Sequence, residues 1–223
     1  DSVMSVTSTP NRHFVISGSK DKTLKVWNLD WGQETHTLRG HSDWVIDIAV
    51  TPDSKFVVSA SKDKTLRVWL IESGREVECS DIQNSALWSV IVSPNGQKVI
   101  TGSLEGILKI WRLNIHKPTG IVTLEEEFSI TSEGWILKVV SLWDSSHVIS
   151  LSHNGQLNLW DLDNQTLIAS FHADEPLTSC AVLPDKNLFT AGGALGNLYL
   201  LELKAIAPES EEKSTKDSRR KYK

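Results

Sequence analysis

His41, Asp63 and the serines Ser59 and Ser61 carry the most suggestive chemistry in the chain. A carboxylate that orients an imidazole, which then takes a proton from a hydroxyl, is the arrangement of nucleophilic acyl transfer. The same residue types also build closed networks that satisfy buried polar groups and never meet a substrate. The elements that hold them decide between the two. Other chemistry is sparse. The seven histidines are scattered, with no pair at i, i+4 and no Cys-x-x-Cys, so no metal is expected. No Gly-x-x-x-x-Gly-Lys phosphate loop occurs, and no cofactor is expected. Cys79 and Cys180 are too few for a disulfide scaffold and fit a reducing, cytoplasmic or nuclear setting. Glu125-Glu126-Glu127 reads as a solvated strand beside a longer loop.

The elements follow from an internal repeat. Leu24-Lys25-Val26-Trp27, Leu66-Arg67-Val68-Trp69, Leu108-Lys109-Ile110-Trp111 and Leu157-Asn158-Leu159-Trp160 align, with a degenerate fifth at Leu198-Tyr199-Leu200-Leu201. The fourth positions are spaced by 42, 42, 49 and 41 residues. Ten residues before each lies a small, polar stretch: Ser17-Gly18-Ser19-Lys20-Asp21, Ser59-Ala60-Ser61-Lys62-Asp63, Thr101-Gly102-Ser103-Leu104-Glu105, Ser150-Leu151-Ser152-His153-Asn154 and Ala191-Gly192-Gly193-Ala194-Leu195. Such a stretch between two apolar runs marks a tight hairpin. Pro10-Asn11, Pro52-Asp53, Pro94-Asn95 and Pro184-Asp185 mark an earlier turn, with Trp143-Asp144 replacing Pro in the fourth unit. Each unit reads strand, turn, strand, turn, strand. The first four continue to a fourth short strand. A sheet of this size cannot bury both faces alone, so neighbours must stack radially.

With Gly40-His41 before a strand, the Ser-x-Ser-x-Asp turn and the Leu-x-Val-Trp strand, the chain resembles the WD-repeat β-propeller family. The resemblance implies an all-β fold with five recognisable four-stranded repeats, part of a larger, seven-bladed ring. The propeller segment is expected over 1–204, in units of about 2–41, 42–83, 84–132, 133–173 and 174–204. Residues 205–223 are expected to be a charged, disordered tail that supplies no outer strand. The resemblance also implies a structural network in each blade. It is complete as His41, Ser59 or Ser61, Asp63 and Trp69 in unit two, and partial as Asp21 and Trp27 in unit one. Units three and four lack the His, and unit five, with Leu195 and Leu201, is expected to have lost the network. On this reading no catalytic residue is expected.

Nine tryptophans against five phenylalanines and two tyrosines is an inverted aromatic ratio. The repeat explains Trp27, Trp69, Trp111 and Trp160. Trp31 and Trp143 fall in turns on the bottom or outer rim. Trp44 and Trp135 share one register position before the innermost strand, where units three and five have Ala86 and Pro176. Trp88 is two places later, equivalent to Ile46 and Leu137. The resemblance puts both positions on the top face around the central channel, with Lys20 and Lys62 at its margin. Trp is the residue type most enriched at binding hot spots, so these residues are expected to bind a protein partner.

The net charge of −5 divides unevenly. Residues 204–223 carry seven basic and four acidic residues, net +3, which leaves 16 basic and 24 acidic residues, net −8, in the body. An acidic body argues against a nucleic-acid surface, and no apolar run approaches the ~20 residues of a membrane span. Five units and a start at Asp1 suggest missing blades. Those are expected from the parent chain or another subunit, with a five-blade ring or a multi-copy assembly as alternatives. Such arrays are similar to the sensor portions of signal-transducing NTPases of the apoptosome and NACHT type. The expected function is a non-catalytic interaction, scaffold or sensor platform. The alternatives are a scaffold subunit of an RNA-processing or ubiquitin-ligase complex, and a propeller enzyme.

Overall fold

The computed structural model describes residues 1–116, 120–142, 144–183, 188–203 and 221–222. Trp143 and most of the tail beyond residue 203 lie outside these. The described chain forms five antiparallel four-stranded sheets, one per repeat. Blade 1 holds β1 (Val3–Ser8), β2 (Phe14–Ser19), β3 (Thr23–Asn28) and β4 (Gln33–Arg39). Blade 2 holds β5 (Val45–Val50), β6 (Phe56–Ser61), β7 (Leu66–Leu70) and β8 (Arg75–Cys79). Blade 3 holds β9 (Leu87–Val92), β10 (Lys98–Ser103), β11 (Ile107–His116) and β12 (Ile121–Thr131). Blade 4 holds β13 (Ile136–Ser141), β14 (His147–Ser152), β15 (Gln156–Asp161) and β16 (Thr166–His172). Blade 5 holds β17 (Leu177–Leu183), β18 (Leu188–Gly193), β19 (Leu198–Glu202) and β20 (Lys221–Tyr222).

Two details differ from the sequence reading. The 49-residue interval is taken up mainly by a longer hairpin: β11 and β12 pair from Ile107↔Thr131 to His116↔Ile121. The tail returns a short outer strand, with Tyr199 paired to Lys221 and Leu198 to Tyr222. The edge of β19 offers unpaired backbone groups, and a returning segment satisfies them whatever its side chains.

The turns between second and third strands show how the sequence tolerates strain. Their left-handed position is Lys22 (φ 73°), Lys64 (φ 71°), Gly106 (φ 77°), Gly155 (φ 85°) and Gly196 (φ 89°). Lysine is disfavoured there and glycine is not. In blades 1 and 2 the turn aspartate offsets that cost. Asp21 accepts from Thr23 N (3.0 Å) and Oγ1 (2.6 Å), and Asp63 from Thr65 N (3.0 Å) and Oγ1 (2.7 Å). Where the aspartate is missing, glycine takes the position.

Each space between blades is one apolar core. Leu24 and Val26 of blade 1 pack with Val45, Ile48, Trp69 and Ile71 of blade 2, and three equivalent clusters follow. Blades 1 to 5 stack in sequence through their innermost strands, and among the described residues β1 and β17 share no comparable contact. Among the described residues, the two end faces are consequently uncovered. Val45 and Ile48, Leu87 and Val90, and Ile136 and Val139 are buried against the preceding blade, whereas the equivalent Val3 and Val6 of β1 are 56% and 61% exposed. Leu29 is 49% exposed where Ile71, Leu113 and Leu162 are buried. On the far side, Leu198 and Leu200 are 48% and 43% exposed at positions buried in the other four blades.

Candidate functional site

The blade-2 network has the connectivity of a catalytic triad and none of its access. Trp69 Nε1 donates to Ser59 Oγ (2.9 Å), Ser59 Oγ lies 2.7 Å from His41 Nε2, and His41 Nδ1 lies 2.8 Å from Asp63 Oδ2. Asp63 also accepts from the backbone of Ser42 at 2.9 Å. With Nδ1–H donating to Asp63, Nε2 accepts from Ser59. Ser59 is fully buried, and the His41 and Asp63 side chains are 0% and 4% exposed. The hydroxyl has an indole on one side and an imidazole on the other, so no acyl group can reach it. Burial pushes the Asp63 carboxyl up, but hydrogen bonds from His41 and Thr65 and the pull of His41 outweigh it and hold it well below the usual carboxylate range. Ser61 ties the turn to the innermost strand instead. Its Oγ donates to the Trp44 carbonyl (2.8 Å) and accepts from Asp63 N (3.0 Å).

The indole anchor recurs in blades 1, 3 and 4. Trp27 donates to Ser17 (3.2 Å), Trp111 to Thr101 (3.1 Å) and Trp160 to Ser150 (2.8 Å). Blade 5 has no such anchor, and a different buried carboxylate ties its turn. Glu175, 5% exposed, accepts from the Leu195 backbone, from Asn197 Nδ2 (2.7 Å) and from Tyr199 OH (3.1 Å). The carboxylate enters from the loop before β17 rather than from the turn, so the register at Leu195 gave no sign of it.

The top face is fixed by a repeated backbone hydrogen bond. The residue before each turn aspartate position donates to the residue before the innermost strand: Lys20 to Ser2, Lys62 to Trp44, Leu104 to Ala86, His153 to Trp135 and Ala194 to Pro176. Each innermost strand then has a register shift, which falls at Met4, Ile46, Trp88, Leu137 and Thr178. A bulge re-aims its side chain, so Trp88, Ile46 and Leu137 are structurally equivalent.

Within this frame the candidate residues separate. The ammonium groups of Lys20 and Lys62 each lie 4.4 Å from the Trp44 ring centroid, so two neighbouring blades close on one half-buried indole. Trp135 is 54% exposed and meets the His153 ring at a tilt, with centroids 5.3 Å apart. Trp88 is half-buried. Two candidates do not fit a contact surface. Ile46 is buried, because its short branched chain does not reach past its neighbours. Leu137 packs against the core between blades 4 and 5. Trp31 stands 73% exposed in the turn between β3 and β4, away from this cluster. Among the described residues, the indole N–H groups of Trp44, Trp88 and Trp135 have no protein acceptor, in contrast to the four anchors.

Asp47 is the residue that the sequence reading missed. It is 5% exposed on β5. It accepts from Ser5 Oγ (2.9 Å), Ser89 Oγ (3.0 Å), Val90 N (3.1 Å) and Lys138 Nζ (2.9 Å), and Ser89 Oγ accepts from Val139 N (3.1 Å). One carboxylate therefore joins the innermost strands of blades 1 to 4. A lone Asp in the apolar run Val45-Ile46-Asp47-Ile48 was the available signal.

Other chemistry is limited. No group of His, Cys, Asp and Glu fit to hold a metal occurs among the described residues. No helix is long and apolar enough to cross a membrane. Burial raises the thiol of Cys180 to about 11 and also raises that of Cys79, so neither is an activated nucleophile. Of the Glu125–Glu127 run, Glu126 pairs with Lys109 and Glu127 with Arg112.

The repeat, the blade architecture and the indole anchors define a WD-repeat β-propeller fold. Residues 1–28, 32–69 and 78–112, within the first three blades, match the family described as "WD domain, G-beta repeat". Short stretches are similar to curated proteins. These include nuclear distribution protein PAC1-2 of Postia placenta, 47% identical over 14% of this chain and 8% of that protein. Probable serine/threonine-protein kinase PkwA of Thermomonospora curvata is 43% identical over 19% and 6%, and nuclear distribution protein nudF 1 of Talaromyces marneffei 41% over 21% and 10%. The matched stretches span a tenth or less of each relative. WD repeats generally mediate protein–protein interaction or scaffolding.

Proposed function

We propose that this chain is a non-catalytic interaction platform, in a cytoplasmic or nuclear setting, whose top face binds a protein partner through Trp44, Trp135 and Trp88 with Lys20 and Lys62. The observation that carries this reading is the contrast between two sets of indoles. Four are locked to Ser or Thr inside blades; three are gathered on one face with their N–H groups unspent. Tryptophan with an unsatisfied polar edge suits a contact that is partly apolar and partly wet. Affinity capture with the wild-type chain, with Trp44→Ala/Trp135→Ala and with the rim control Trp31→Ala tests it. The double variant should keep its fold to within ~1 kcal/mol, as surface changes do, and lose proteins that the Trp31→Ala control retains. Identical captured sets would overturn the reading.

The end faces support a second reading. Val3, Val6 and Leu29 on one side and Leu198 and Leu200 on the other repeat the two halves of an interblade core. We infer that further blades of the parent chain or another subunit cover them, which suits a larger ring such as the sensor portion of a signal-transducing NTPase. Alone, the 24.8 kDa chain is expected to self-associate. Sedimentation should give a mass that rises with concentration, and Val6→Lys/Leu200→Lys should abolish the rise. A monomer at all concentrations would contradict covered end faces.

A further inference from the structure

We propose that the surface around Trp44 recognises an acidic peptide segment, with Lys20 Nζ and Lys62 Nζ beside the Trp44 indole taking its carboxylates. This rests on the top-face reading and adds the chemistry of the partner. Lys20 comes from the turn of blade 1 and Lys62 from that of blade 2. Each nitrogen is 4.4 Å from the same ring centroid, so the two lie within twice that distance of each other. Like charges this close repel, and each cation–π contact returns only ~0.5–1 kcal/mol at an exposed site. An anion set between them relieves the repulsion and gains charge-assisted hydrogen bonds.

Among the described residues the protein supplies no such anion. Several other cations are paired, including Lys25 with Glu34, Arg67 with Glu76 and Lys98 with Asp163. Among the described residues Lys20 and Lys62 have no carboxylate within ion-pair distance. The acids nearest in sequence are committed elsewhere: Asp43 accepts from Trp44 N (2.8 Å), Asp21 from Thr23, and Asp63 from His41 and Thr65. Two free ammonium groups in a body of net charge −8 form a local exception to the acidic surface. A long polyanion meets that repulsion along its length, whereas a short acidic segment needs only this spot. The exposed ring of Trp135 and the half-buried ring of Trp88 on the next two blades favour apolar neighbours beside the acid.

The test follows indole N–H resonances of the ¹⁵N-tryptophan-labelled chain. The probes are the blocked peptide acetyl-Leu-Glu-Glu-Leu-amide and its counterpart acetyl-Leu-Gln-Gln-Leu-amide. The acidic peptide should move the Trp44 resonance with an affinity about tenfold or more above that of the amide peptide, a difference of ~1.4 kcal/mol. Lys20→Gln/Lys62→Gln should remove the difference while the Trp69 resonance stays in place, which reports an intact blade. The preference should also weaken as salt rises. Equal binding of the two peptides, or no movement of Trp44 by either, would overturn the proposal. So would an equal shift from inorganic phosphate at the same concentration, which would mark a general anion site. The top-face reading falls separately, if Trp44→Ala/Trp135→Ala captures the same proteins as wild type.

Discussion

Asp63→Ala is expected to destabilise the chain by about 3–5 kcal/mol, the cost of removing one partner from a buried ion-paired or charge-assisted set. The aspartate ends a relay that starts at the Trp69 indole, so its loss leaves the buried His41 Nδ1–H and the Thr65 N–H without an acceptor and frees the exposed Ser42 N–H. The strained Lys64 turn also loses the carboxylate that supports it. The nearby Lys62→Ala should stay within ~0.5 kcal/mol, as an exposed site does. Urea melts compare the variants, and a repeat fold calls for checking that both probes of unfolding coincide. The sign of the pH effect follows from the depressed carboxyl. A group whose folded pKa is lowered adds stability above its unfolded value of ~3.9, and that stability is lost as pH falls through the folded value. Wild type should therefore lose stability below about pH 4 more steeply than Asp63→Ala. A variant that melts with wild type, or parallel acid profiles, would show that the network contributes little.

The second large effect is expected at Asp47, and it is asymmetric. Asp47→Ala should cost about 3 kcal/mol, because Ser5, Ser89 and the Val90 N–H lose their acceptor between packed strands. The other end of the pair behaves differently. The Lys138 side chain is 38% exposed, so its charge is partly solvated already. Lys138→Met keeps the aliphatic stem and leaves Asp47 with its other donors, and should cost only ~1 kcal/mol. Thermal unfolding of the two variants measures the ratio. Equal costs would mean that the ion pair, rather than the hydrogen-bond hub, holds the innermost strands together. Because Ser5, Asp47, Ser89 and Lys138 sit on four successive blades, Asp47→Ala should also loosen blade 1 against blade 2, visible as faster amide exchange in β1.

The blade architecture was legible because a propeller repeats its constraints. Apolar runs of period 2, two turns and an anchoring indole recur in phase, so each unit checks the others. The four anchoring tryptophans were legible for the same reason: position 27 and its equivalents lie ten residues after a Ser or Thr that can accept, and position 44 does not. What escaped was what register does not encode. Asp47 works through serines 42 residues away on either side and a lysine 91 away, and none of these looks unusual in its own strand. Glu175 replaces the turn aspartate from another loop. Ile46 matches Trp88 in register, yet side-chain length decides which of them reaches the surface. The long β11–β12 hairpin read as a loop with a solvated strand because Glu125-Glu126-Glu127 interrupts its apolar run, although Leu113 and Val122 beyond that run pack into the core between blades 2 and 3.

On the proposed function the tryptophans serve two ends: some hold blades and some would face a partner. Solvent exchange of the indole N–H protons, followed by nuclear magnetic resonance in deuterated water, tests this division most directly. The protons of Trp69, Trp111 and Trp160, each hydrogen-bonded and buried, should exchange only on global or blade-wide opening, with half-buried Trp27 somewhat faster. Those of Trp44, Trp88 and Trp135 should exchange at the rate of an open indole, as fast as Trp31. Protection of Trp44 and Trp135 equal to that of Trp69 would make them packing residues and contradict the top-face function.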